Sequence, residues 1–316
     1  MIQKRTIGVI GVGNVGMAAA YALFLNRSAE EIILVDKDMR RAEGEAMDMM
    51  HGQAYVGHIA VHAGGYPDLA AAQIVIIAAG VAQRPGESRL DLLNRNADVL
   101  GQIAAQLDRN APDAVLLIAS NPVDILTYMM HHLSVRPSHR IIGTGTMLDT
   151  GRFRALLGKH YQVDPRSVHA YIVGEHGHSE VPLWSKAMIG GISIKDNTVL
   201  GHRFDADQMN DIFRKVRDAA YDIIDRKNYT NTGIGAVLAR LSEAVLEDQK
   251  SILTVSAAMA GEYGLNRVCL SIPCVIGFQG IEARLTPDLT EEELLGIQAS
   301  ARRLKQNIDK INWNRA

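Results

Sequence analysis

The chain has 316 residues, a length that suits two domains, or one domain with a large second lobe, rather than a single small core. Hydrophobic residues make up 47% and charged residues 22%, and the formal net charge is −2, a globular balance that offers no polyanion surface and argues against a nucleic-acid partner. Cys269 and Cys274 stand five positions apart with no CxxC and no paired histidine spacing, so no disulfide framework, zinc site or other metal is expected; both read as buried, reduced thiols.

Along the chain, Lys4 and Arg5 precede TIGVIGVGNVGMAAAYALFL, twenty residues without a charge that superficially imitate a membrane span. Gly8, Gly11, Gly13 and Gly16 crowd its first half with Asn14, which instead fits a strand breaking into a turn and then a helix. A soluble cytoplasmic protein with no membrane partner is expected. The first half then alternates apolar runs with amphipathic stretches: EIILVD and RRAEGEAMDMMH, HIAVHA, QIVIIAAG and a long helix to about Asp108, AVLLIAS and VDILTYMMHH, then RIIGTG. Strand alternating with helix implies right-handed crossovers, and continuous Val/Ile/Leu runs imply strands buried on both faces. The expected fold is α/β, a doubly wound parallel sheet of the Rossmann type over residues 1–143. After residue 144 the rhythm changes to helices around LDTGRFRALLGKH and near 205–227 and 233–248, strand-like SILTVSAAM and RVCLSIPCVIGF, and a terminal helix. Residues 144–316 therefore read as an α+β domain packed closely on the first.

Gly11-Val12-Gly13-Asn14-Val15-Gly16 matches GxGxxG after a strand and before a helix, where glycines permit a tight turn and close approach of backbone to a pyrophosphate. Twenty residues beyond Gly16, Asp36 ends the second strand. A carboxylate there accepts hydrogen bonds from ribose hydroxyls and repels a 2′-phosphate, which favours NAD over NADP. Three further stretches follow later strands, AGVAQRPGESRLDLLNRN, SNPVD and GTGTMLDTGRFR, and in a doubly wound sheet such ends line the ligand crevice. They could supply what hydride transfer to or from an alcohol needs: a base, a cation beside the carbonyl, and a grip on the rest of the substrate.

With GEHG at 174–177, these motifs in this order resemble the L-lactate/malate dehydrogenase family, its bacterial L-lactate dehydrogenases above all, from Thr6 to the C-terminal helix. The resemblance implies that His176 is the proton donor and acceptor and that Asp149 fixes its tautomer and raises its pKa. Arg152 would take the substrate carboxylate as a bidentate fork, Arg89 would polarise the carbonyl when its loop closes, and Asn121 would hydrogen-bond the substrate oxygen. Family members commonly hold the bond to the following proline, here Pro122, in the cis form. It also places Val15, Arg41, Tyr66, Gly80, Thr144, Asn121 and Ile234 at cofactor contacts and Thr230 in the substrate pocket. Gln83 occupies the position that tells substrates apart: a neutral amide accommodates the pyruvate methyl, whereas an arginine there grips a second carboxylate. A register slip onto Arg84 would favour malate, but Glu87 and the spacing to Arg89 support the lactate reading. A broader, hydroxyisocaproate-like 2-hydroxy acid dehydrogenase ranks second and malate third. A non-catalytic NAD-binding sensor would be expected to have lost His176, Arg89 or Asp149. Two departures stand out. His178 replaces the usual Asp of GEHGD, and its imidazole is expected to disfavour protonated His176; Gly151 replaces the commoner Ala inside a helix. Finally, Arg154 and His169 match the pair that binds fructose 1,6-bisphosphate between subunits of homotetrameric relatives.

Overall fold

The computed structural model describes residues 4–80 and 89–311, with only the backbone of residues 89 and 90. In the first half β1 (Thr6–Ile10), α1 (Asn14–Asn26), β2 (Glu31–Val35), α2 (Met39–His51), α3 (Gln53–Val56), β3 (Ala60–Ala63), β4 (Ile74–Ile77), α4 (Arg89–Asn110), β5 (Val115–Ile118), α5 (Val123–Leu133) and β6 (Ile141–Gly143) follow the expected alternation. These six strands are parallel to their neighbours in the order β6-β5-β4-β1-β2-β3, so the chain starts in the middle and winds outward both ways. All residues of β1, β4 and β5 are buried, as the uninterrupted apolar runs of β4 and β5 require when helices cover both faces. Each such Val, Ile or Leu contributes about 1.5–3 kcal/mol by leaving water, so four in a row fix the strand firmly in the core.

The second half begins with α6 (Met147–Tyr161), passes through short strands β7 (Val168–His169), β8 (Ile172–Val173), β9 (Val181–Pro182), β10 (Met188–Ile189) and β11 (Ile192–Ser193), and continues with α7 (Ala206–Lys227) and α8 (Thr232–Leu246). It ends in β12 (Ser251–Ala260), β13 (Asn266–Gly277), β14 (Gly280–Arg284) and α9 (Glu291–Ile308), the last started by a capping box between Thr290 and Glu293. β12, β13 and β14 form an antiparallel meander that joins the parallel sheet at β6 through the pair Ser256 and Gly143. The two halves thus share one nine-stranded sheet among the described residues. A Cβ at Gly143 would lie 2.3 Å from Thr127 Oγ1 and 2.8 Å from Ser256 Cβ, so the seam closes only over a glycine. Cys269 and Cys274 are buried and unpaired in β13, and burial pushes the Cys274 thiol up to about 12. Among the described residues no helix is long and apolar enough to cross a membrane.

Candidate active site

The first part of the site is built by backbone. Gly11, at the end of β1, has φ +94°, and a Cβ there would lie 2.7 Å from the Ala79 nitrogen. Gly16, in the first turn of α1, approaches the same turn so closely that a Cβ would sit 1.8 Å from the Gly11 carbonyl oxygen. Neither contact can be relieved by turning a side chain, so both positions demand glycine. A Cβ at Gly13, by contrast, would meet nothing within 4 Å, and Gly13 caps the N-terminus of α1, whose free N–H groups favour an anion. Past β2, Asp36 accepts from Val12 N at 2.8 Å and from Asp38 N at 3.0 Å, and each carboxylate oxygen keeps a lone pair for a ribose hydroxyl. Open space at a helix N-terminus beside this carboxylate fits a dinucleotide.

Of the other residues expected at the cofactor, Val15 and Ile234 are half-buried on α1 and α8, helices packed so closely that a Cβ at Gly235 would lie 2.7 Å from the Ala18 backbone. Thr144 is buried just past β6, its N–H donating to Ile118 O at 2.9 Å. Tyr66 opens a 3₁₀ turn, and partial burial raises its phenol pKa. Gly80 ends the described segment after β4, and Arg41 on α2 lies 3.9 Å from Glu45.

The second part is built by side chains. Asp149 sits in the first turn of α6, where the helix dipole favours a carboxylate. That turn is pinned by Ser271 Oγ, which accepts from Thr146 N at 2.9 Å, and by Thr146 Oγ1 donating to Ile172 O at 2.5 Å. Ser271 also exchanges two backbone hydrogen bonds, each 2.9 Å, with Gly174, so one residue of β13 holds both α6 and the GEHG turn. Two further bonds orient the turn: Glu175 N donates to Ser300 Oγ at 2.6 Å and His176 N to Asp124 Oδ2 at 2.8 Å. The result is His176 Nδ1 at 2.6 Å from Asp149 Oδ2, with Arg152 Nη1 at 2.8 Å from Asp149 Oδ1.

Burial alone would lower the His176 pKa, but Asp149 beside it, helped by Asp124 and Glu180, raises it to about 9. For Asp149, burial opposes ionisation, yet His176 and Arg152 hold its carboxyl below the ordinary range. A half-buried imidazole held by a carboxylate on one nitrogen can donate and take back a proton through the other.

Two acidic groups here escaped the sequence reading. Asp124, buried at the start of α5, accepts from Ser256 Oγ at 2.5 Å as well as from His176 N, and burial pushes it up to about 6. Glu180 is 6% exposed, its Oε1 has no hydrogen-bond partner, and burial followed by repulsion from Asp149 pushes it up to about 9. Asp149, His176 and Glu180 each offer an atom within 4.8 Å of the others. Asp124 belongs to the SNPVD stretch, and Glu180 follows His176 by four positions, the one local signal that sets it near the imidazole.

Gln83, Arg84 and Glu87 lie outside the described residues, and Arg89 is described only as the first backbone position of α4. Asn121 follows β5 with its bond to Pro122 cis, and Thr230 is half-buried between α7 and α8. His178 turns away toward α7, its Nε2 2.9 Å from Tyr221 Oη and the two rings stacked. Arg154 donates through Nε to Ala170 O at 3.0 Å and lies 5.3 Å over the Tyr171 ring, while His169 is exposed on β7.

A doubly wound sheet with a glycine turn at its crest, and an imidazole–carboxylate pair where the second half of the chain meets it, define a dinucleotide-dependent oxidoreductase. Residues 5–143 match the family model described as lactate/malate dehydrogenase, NAD binding domain, and residues 146–313 its alpha/beta C-terminal domain; the chain belongs to this family. It is 57% identical over 308 residues to an L-lactate dehydrogenase of Salinibacter ruber, covering 97% of this chain and 98% of that one. An L-lactate dehydrogenase of Thermus aquaticus is 48% identical over 300 residues, covering 95% and 97%. Among solved structures, the minor L-lactate dehydrogenase of Enterococcus mundtii in its ligands-bound form superposes with a TM-score of 0.95 at 38% identity, covering 98% of this chain and 99% of that one.

Proposed function

We propose that the protein is an NAD-dependent L-lactate dehydrogenase that interconverts pyruvate and lactate, with residues 1–143 holding the nucleotide and residues 144–316 most of the substrate. The observation that carries this reading is the imidazole of His176 held 2.6 Å from Asp149, with Arg152 on the other carboxylate oxygen. Gly11, Gly13 and Gly16 give the pyrophosphate room and N–H donors, and Asp36 takes the ribose; the nicotinamide, when bound, supplies or accepts the hydride. His176 carries the proton that the substrate oxygen takes up in reduction and receives it back in oxidation, while Asp149 keeps the imidazole tautomer and stabilises its charged form. Arg152 spends one of its five N–H donors on Asp149 and has others for a substrate carboxylate. Asn121 and Arg89 serve the substrate oxygen, Thr230 lines the pocket, and Val15, Arg41, Tyr66, Gly80, Thr144 and Ile234 line the cofactor cleft.

Gln83 sets substrate choice, because a neutral amide cannot offset the desolvation of a second carboxylate. The test is steady-state NADH oxidation with pyruvate, oxaloacetate and a branched 2-oxo acid. Pyruvate is expected to lead by orders of magnitude in kcat/KM. Oxaloacetate in the lead would move selection to Arg84, a branched acid in the lead would widen the pocket to larger 2-hydroxy acids, and NADH binding without turnover would leave a sensor.

The assembly is read as a homotetramer. Supporting it, α2 and the segment after it expose Met47 at 62% and Tyr55 at 92%, apolar area that a monomer would leave wet. Arg154 and His169 supply a guanidinium and an imidazole suited to fructose 1,6-bisphosphate between subunits. Activation of the wild type and its loss in Arg154→Gln are expected; a wild type indifferent to the sugar bisphosphate removes the control site.

A further inference from the structure

Glu180 has no part in the reaction as described above, yet it lies against the reacting pair. Its ligand atom is within 4.8 Å of those of Asp149 and His176, it is 94% buried, and Oε1 has no partner. The charged and titratable groups facing it are His176 from its own turn, Asp149 and Arg152 from α6, and Arg217 from α7; Asp124 on α5 faces His176 from behind. Arg217 is engaged with Asp218 at 2.8 Å and Arg152 with Asp149, so neither is dedicated to Glu180. A carboxylate with a bare oxygen in such a place is costly, and Asp149 and Asp124 already supply the two negative charges that the imidazolium and Arg152 balance. Glu180 therefore rests as a neutral acid in neutral solution. The same crowding favours a proton over a metal cation, since Asp149 Oδ1 and Oδ2 are already committed to Arg152 and His176.

We propose that Glu180 is a positioning residue of this reaction, which never touches substrate and keeps the transferable proton on His176 into alkaline solution. The inference rests on the dehydrogenase reading. In neutral solution the group consists of a carboxylate on Asp149, an imidazolium on His176 and a carboxylic acid on Glu180. As the pH rises, one proton passes to solvent, and Glu180 can be the group that releases it. Its new carboxylate then stands beside the imidazolium, and an opposite charge at this range favours the charged form, so His176 stays loaded after the group as a whole has lost a proton. The two sites titrate as a pair, and the second loss, from His176, is deferred. A glutamine at 180 cannot ionise, so the first proton lost is the one the substrate needs.

The experiment is the pH dependence of kcat/KM for pyruvate reduction at saturating NADH, wild type against Glu180→Gln. The midpoint of the alkaline fall is expected to move down by about one pH unit in the variant. Superimposable midpoints overturn the proposal, and so does a uniform loss at every pH, which marks a structural role. Infrared difference spectra of the wild-type protein give a second reading: a carboxylic acid C=O band present in neutral solution and bleached as the pH rises. Absence of that band in neutral solution overturns the proposal even where Glu180→Gln does not fold. A wild type that shows the band yet fails to reduce pyruvate would defeat the dehydrogenase reading and leave the resting proton on Glu180 standing, so the two failures are distinguishable.

Discussion

The nucleotide end and the chemical end of the crevice are built by opposite means. At Gly11, Gly13 and Gly16 the protein contributes backbone and the absence of side chains; at Asp149, Arg152 and His176 it contributes ionisable side chains linked by hydrogen bonds, with Asp124 accepting from the His176 backbone N–H. A site made of shape responds to added atoms and ignores pH. A site made of charge tolerates small changes of volume, and every proton alters it.

The largest expected effect lies at the charged end. His176→Asn removes the titrating group but keeps most of the volume, so kcat for pyruvate reduction should fall by about 10²–10⁴ while NADH affinity is retained. Fluorescence titration with NADH checks the second half, and a parallel loss of affinity would erase the division between the two ends. Next comes the wild-type pH profile. With the His176 pKa raised to about 9, the imidazolium needed for reduction persists below that value, and the reduction rate should fall about tenfold per pH unit above it. Lactate oxidation needs the neutral imidazole, so it has the opposite sign and should climb with pH toward the same midpoint. Equal slopes in both directions would assign the titration to something other than His176. Gly16→Ala attacks the other end. Its Cβ would meet the Gly11 carbonyl at 1.8 Å, and the forced shift should weaken NADH binding by about 1–3 kcal/mol, equally at all pH values.

The same contrast governs how much could be read before any coordinates. The glycine turn and the parallel strands are local patterns: Ile74–Ile77 is apolar because both faces are covered, and Gly11 to Gly16 lie within one turn and the helix it starts. The joining of β12 to β6 through Ser256 and Gly143 is a contact between residues 113 positions apart, and no periodicity announces it. The strands from β7 to β11 are two residues each, too short for any alternation to emerge. At the chemical end, His176, Asp149 and Arg152 were legible because the resemblance supplied their roles, and the structure then brought them together. Asp124 and Glu180 were not, because nothing local distinguishes a buried acid from a solvated one; their importance arises only when the GEHG turn folds over α5 and α6.

The smallest effect tests where shape matters outside the crevice. Gly151 sits inside α6, two residues past Asp149, and a Cβ there would meet nothing within 4 Å. Glycine in a helix interior costs about 1 kcal/mol against alanine, so within a single chain Gly151→Ala should stabilise by about that amount, read as a denaturant midpoint that rises with unchanged slope. The open space beside it is a cleft lined by Leu148, Arg154, Arg240 and Ile252. If a second copy of the chain seats in that cleft, the added methyl meets the neighbour instead of water, and the gain seen in dilute, dissociated protein should vanish or reverse as concentration restores the assembly. A gain of equal size at all concentrations would mean that no subunit approaches α6 here, and the missing side chain at 151 would then lack the reason that governs Gly11 and Gly16, close approach of another backbone.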